Sequence, residues 1–78
     1  MTLLFFAQCA DRMSRRHLAV ELPEPLPLRD ALRAIPELAP LLQRPNSYKI
    51  AVNHAFADPD TEVCDGDEIA FLPPFSGG

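Results

Sequence analysis

The sequence predicts an α+β domain in which one mixed sheet packs on one main helix, after which the chain runs out into a bare tail. Three observations carry this. Apolar and polar residues alternate with a period of two near both ends of the chain, as half-buried strands require. Between those runs Leu28, Ala31, Leu32 and Ile35 fall at i, i+3, i+4 and i+7, one face of a helix. The chain then finishes Phe71-Leu72-Pro73-Pro74-Phe75-Ser76-Gly77-Gly78, with two of its 3 glycines as the last residues. The two prolines end any ladder there, because proline supplies no N–H.

Composition narrows the class. A chain of 78 residues makes one small domain with a modest core. An apolar fraction of 47% is normal for a folded protein, so disorder is not expected. The net charge of −4 argues against nucleic acid as a partner. Cys9 and Cys64 are too few for a disulfide framework, though they leave one bridge open. With no signal-peptide pattern in view, they read as reduced thiols in a cytoplasmic protein. The apolar run Leu3 to Ala7 is far too short to span a membrane.

Taken in order, Thr2 to Gln8 is apolar on both faces and reads as an interior strand, with Leu3, Phe5 and Ala7 on one side and Leu4 and Phe6 on the other. Cys9 to Ser14 reads as a helical turn or a loop. Leu18, Val20 and Leu22 alternate as a second strand, most simply antiparallel to the first. Pro23-Glu24-Pro25-Leu26-Pro27 is a stiff connector. The helix follows, with Pro27 suited to its first position and Pro36 stopping it by disfavouring the helical conformation at Ile35. Leu38, Leu41 and Leu42 suggest a second short helical piece. Tyr48, Ile50 and Val52 alternate as a third strand, Asn53-His54 as a two-residue turn, and Ala55 to Ala57 as a short return strand. Asp65-Gly66 marks a turn into a last strand, Asp67 to Leu72, with Ile69 and Phe71 on one face and Glu68, Ala70 and Leu72 on the other.

Strand, strand, helix, strand, short strand, strand is the order of a β-grasp, ubiquitin-like domain, since one amphipathic helix has a single face that one sheet can cover. The domain is expected over residues 1–72, with a flexible tail over 73–78. Such a tail can enter a narrow channel and present the Gly78 carboxylate at its bottom. The bland alternative is a frayed terminus.

Ala51-Val52-Asn53, the run Asp65-Gly66-Asp67-Glu68-Ile69-Ala70-Phe71-Leu72, and Pro73-Pro74-Phe75-Ser76-Gly77-Gly78 resemble the small, sulfur-carrying subunit of molybdopterin synthase. Leu4-Phe5-Phe6-Ala7 resembles that family's first strand, so the similarity covers nearly the whole chain. Thiamine-pathway sulfur carriers share the fold and the Gly-Gly but usually lack the Pro-Pro-x-Ser step. Two positions depart from the family pattern. Pro27 stands where the family often has a helix-capping Thr, and His54 where it often has Gly after the Asn.

The resemblance implies a carrier, not an enzyme. An E1-like activating enzyme would adenylate Gly78 with ATP, and a persulfide sulfur donor would convert it to a thiocarboxylate. The large synthase subunit would then receive the tail, Pro73 to Gly77, in its active site. No bound cofactor or metal is expected. Cys9, Cys64, His17 and His54 lack close ligand spacing and read as ordinary core or surface residues. The acids between Asp58 and Glu68 read first as a solvated face; the functional alternative makes Asp60, Glu62 and Asp65 a docking surface for a basic partner. Phe6 and Leu72, with Phe75, are candidates for an apolar partner patch. Two other classes stay open: a modifier conjugated to lysines, and an interaction module whose tail is incidental.

Overall fold

In the computed structural model, which describes residues 1–74, the chain forms β1 (Thr2–Phe5), α1 (Gln8–Met13), β2 (His17–Ala19), β3 (Leu26–Pro27), α2 (Leu28–Arg33), α3 (Ala39–Leu42), β4 (Lys49–Val52), β5 (Ala55–Phe56), β6 (Glu62–Val63) and β7 (Glu68–Leu72). Five strands make one sheet in the order β2-β1-β7-β4-β5, and β3 pairs with β6 apart from it. β1 and β7 run parallel, while every other pairing is antiparallel. This is the expected mixed sheet of a β-grasp domain.

The period-two pattern explains the core. The register Leu3↔Ile69 and Phe5↔Phe71 aligns the apolar positions of β1 and β7 on one face, and β4 adds Ile50 opposite Phe71 and Val52 opposite Ile69. Leu28, Ala31 and Leu32 of α2 are buried in the same cluster. Phe71 is its hub: its ring stacks on Phe5 at 5.3 Å between centroids and meets Tyr48 edge-on at 5.5 Å. Burying a side chain of that size stabilises by about 1.5–3 kcal/mol.

Several boundaries differ from the sequence reading. The first strand stops at Phe5, not Gln8, because Ala7 takes φ 50° and Gln8 starts a helix that buries Cys9. Alternation over Leu18, Val20 and Leu22 marks buried positions, but the ladder itself covers only His17–Ala19. Pro27 lies just outside the helix, with ψ 144°, rather than at its first position. It has no side chain to cap with, so loop carbonyls serve the free amides instead. Thr61 O accepts from Leu28 N at 2.7 Å, and Pro59 O from Arg29 N at 3.1 Å. Ile35 is extended, as a residue before proline must be. The second helical piece is a 3₁₀ turn, Pro36–Leu38, continued by α3.

The domain division and the expected flexibility of the tail concern residues 73–78. Pro73 and Pro74 follow β7 and are half-buried, and the other four tail residues lie outside the described residues.

Candidate functional site

The face of the sheet turned away from α2 is defined by strand parity. Residues between the core positions form a row across all five strands: His17 opposite Leu4, Leu4 beside Ala70, Ala70 opposite Ala51, and Ala51 opposite Phe56. Four of those five residues are apolar: Ala51 is buried, Leu4 and Ala70 are half-buried and Phe56 is exposed. Phe56 is 74% exposed and Phe6 44%, the two large hydrophobics most open to solvent among the described residues. Lys49 Nζ sits 5.7 Å from the Phe56 ring centroid and caps one end of the row.

The sequence-predicted patch lies at one edge of this face. Phe6 N donates to Phe71 O at 3.1 Å, one step past the Phe5–Phe71 pair, which brings Phe6 alongside Leu72. Leu72 is half-buried and stands opposite Lys49. Phe75, the third member, lies outside the described residues. Phe56, Leu4 and Ala70 were missed. Parity carries the missing signal: a two-residue turn at Asn53-His54 pairs Ala51 with Phe56 and so puts both on one face.

The acids divide by what they hold. Asp65 Oδ1 accepts from Leu22 N at 3.0 Å and from the Met1 amine at 3.3 Å. The Leu22 N–H, and after it the amine, hold this carboxyl below the usual carboxylate range. Asp65 therefore fastens the start of β1 to the segment after β2, even though its side chain faces water. Asp60 forms an ion pair with Arg29. Glu62 has no side-chain partner among the described residues. Asp58 Oδ1 accepts from Asp60 N at 2.8 Å and closes its own turn.

Cys9 is buried and Cys64 exposed, and both are free thiols. Burial pushes the Cys9 thiol up and so disfavours its thiolate, and the Arg12 guanidinium only partly opposes this. No cluster of His, Cys, Asp and Glu fit to hold a metal ion occurs among the described residues. No helix among them is long and apolar enough to cross a membrane. A groove of about 930 Å³ lies between α2 and the β4–β5 hairpin; Lys49 and Phe56, at the sheet edge, also line it, and none of the residues expected at the site does.

At one end of this sheet face the central strand, β7, delivers the chain to Pro73-Pro74. The chain is 32% identical to the molybdopterin synthase sulfur carrier subunit of Caenorhabditis elegans, over 97% of this chain and 94% of that protein. Small archaeal modifier protein 1 of Haloferax volcanii superposes with TM-score 0.78 at 26% identity, over 99% of this chain and 97% of the other. A complex of subunits 1 and 2 of the molybdopterin-converting factor from Helicobacter pylori contains a chain that matches with TM-score 0.61 at 26% identity, over 99% and 96%. The sequence model of the ThiS family matches residues 3–78, from the first strand through the final glycine, and the chain belongs to that family.

Proposed function

We propose that this chain is the sulfur carrier of a molybdopterin synthase and that Gly78 bears the sulfur. The observation that carries the reading is the course of β7, which occupies the centre of the sheet and ends at Leu72, directly before Pro73-Pro74 in a sequence that closes with Gly77-Gly78. A rigid central strand is a firm base from which to extend a tail. The name of the nematode relative and the two-subunit complex that contains a similar fold support the same reading.

The chemistry follows from the carboxylate. Its oxygen is a poor leaving group, so the Gly78 carboxylate first attacks the α-phosphorus of ATP on an E1-like enzyme and releases pyrophosphate. The terminal sulfur of a persulfide then attacks the acyl carbon, and AMP departs. A thiol splits the resulting S–S bond and frees the thiocarboxylate. The tail from Pro73 to Gly77 carries that nucleophile into the large subunit, while Phe6 and Leu72 dock on it. The chain supplies no catalytic group.

The test is incubation with an activating enzyme, ATP and a sulfur source, followed by intact mass. Oxygen-to-sulfur exchange on Gly78 is expected. Gly78 found in isopeptide bonds to lysine, with no thiocarboxylate, would favour the modifier reading that the likeness to the archaeal modifier keeps in view.

A further inference from the structure

We infer that the outer edge of β2 and the groove beside it form a second docking site, which takes an extended, basic segment of another protein. Two independent features meet there. The first is an open ladder. Met1 and Val20 exchange both backbone bonds, at 2.7 and 2.9 Å, and Phe5 N donates to Arg16 O at 2.9 Å. Alternate residues of an antiparallel edge strand face outward, so the N–H and C=O groups of His17, Ala19 and Glu21 point away from the sheet. All three residues are exposed, and β2 is the end strand.

The second feature is a groove of about 320 Å³ between this edge and α2. Its floor is apolar: Val20, Leu22, Leu26, Ala31, Ile35 and Pro36. Its charged side chains are Glu21, Glu24 and Glu37, with no Lys or Arg. A strand added to β2 turns alternate side chains toward α2, where the floor accepts an apolar one. The intervening Lys or Arg turns to the opposite face, beside Glu21, and where the segment runs past the end of β2 a further basic residue meets Glu24 and Glu37 at the groove. Arg15 and Arg16, at the other end of β2, set the direction by repelling basic residues there.

The site lies at the end of the sheet opposite the tail. The groove adjoins Met1 and Val20, whereas β7 leaves the sheet at Leu72, beside Phe6. A segment bound on β2 therefore leaves the apolar sheet face and the tail free. The site goes beyond carrying sulfur, because it allows a third protein to hold the chain while Gly78 is engaged.

The probe is a short peptide alternating valine and lysine, added to the full chain and followed by amide shifts and hydrogen exchange. The amides of His17, Ala19 and Glu21 are expected to shift, and their exchange to slow about tenfold. The double variant Glu24→Lys, Glu37→Lys is expected to weaken binding about fivefold, and a valine–glutamate peptide not to bind. Ala19→Pro, which removes one outward N–H, should lose the exchange protection. Unmoved amides at saturating peptide overturn the inference. So does equal binding of the acidic peptide, or unchanged binding by the Glu24/Glu37 variant. A dimer in sedimentation whose His17, Ala19 and Glu21 amides are already protected without peptide also overturns it.

Discussion

Asn53 Nδ2 donates to Asp67 Oδ1 at 3.1 Å, and this bond ties the turn of the β4–β5 hairpin to the turn that starts β7. Asn53 Oδ1 accepts from Glu68 N at 3.0 Å, and Asp67 Oδ2 from Cys64 N at 2.8 Å. Two side chains thus align the base of the strand that leads to the tail. The Cys64 N–H first, then Asn53, hold the Asp67 carboxyl below the usual carboxylate range.

That lowering fixes the direction of a pH dependence. A carboxyl with a folded pKa below its unfolded value, about 3.9, contributes stability that is complete above the unfolded value. The contribution is lost as pH falls through the folded one. Asp65 acts in the same direction. Asp67→Asn is therefore expected to be less stable than wild type at pH 7, with the difference shrinking as pH falls below about 4. Urea midpoints at pH 7 and pH 3 read this directly. A difference that stays constant across the range excludes the carboxylate as its source.

His54 sits at φ 74° after Asn53 at φ 50°, so both residues of the two-residue turn are left-handed. Asn tolerates this conformation; a Cβ-bearing His pays for it. His54→Gly is expected to stabilise the domain by about 0.5–1 kcal/mol. It gives up only an exposed contact with Glu68 at 3.6 Å. An unchanged or lowered denaturation midpoint would mean the turn is not strained.

Leu32 is 4% exposed and sits in the core cluster, while its neighbour Arg33 faces solvent. Leu32→Ala is expected to cost about 2–5 kcal/mol. Arg33→Ala is expected to cost less than about 0.5 kcal/mol. Equal losses in urea titrations would place the buried face of α2 elsewhere.

Elements written by periodicity were legible, and elements written by distant partners were not. The faces of β1 and β7 follow from alternation alone, and the stop before Pro36 from local sterics. Leu26–Pro27 and Glu62–Val63 have no readable period in two residues each; they are strands only because the fold brings them together. Pro27 lacks a cap side chain, and its substitute, the carbonyls of Pro59 and Thr61, comes from a loop about thirty residues away. The site divides the same way. The tail motif was legible as a string of residues. The structural duty of Asp65 was not, because its partners, Leu22 N and the Met1 amine, are adjacent only in the folded sheet.

The docking role proposed for the acidic segment now falls on Asp60 and Glu62. Asp65 must be left intact, because neutralising it would loosen Met1 and Leu22. Asp60→Asn with Glu62→Gln is expected to lower the on-rate for a basic partner and flatten its salt dependence, with little change in stability. Stopped-flow association with the large subunit, over a range of ionic strength, measures both. Unchanged rates would make the segment a solvated face.

The sharpest prediction concerns the last two residues. Every core residue among the described ones lies at or before Phe71. Deleting Gly78 is expected to abolish adenylation and thiocarboxylate formation while the denaturation midpoint stays put. Gly77→Val should likewise leave stability within about 0.5 kcal/mol of wild type. It should still sharply reduce sulfur transfer, because a channel fitted to bare backbone has no room for a branched side chain. A Cβ also forbids the positive-φ conformations that glycine adopts freely. Intact mass after incubation with activating enzyme, ATP and a sulfur source reads the transfer, and circular dichroism in urea reads the fold. A chain without Gly78 that still gains sulfur would sink the carrier assignment to this residue. A Gly77→Val chain loaded and discharged at the wild-type rate would show that the penultimate position is not held in a closed channel.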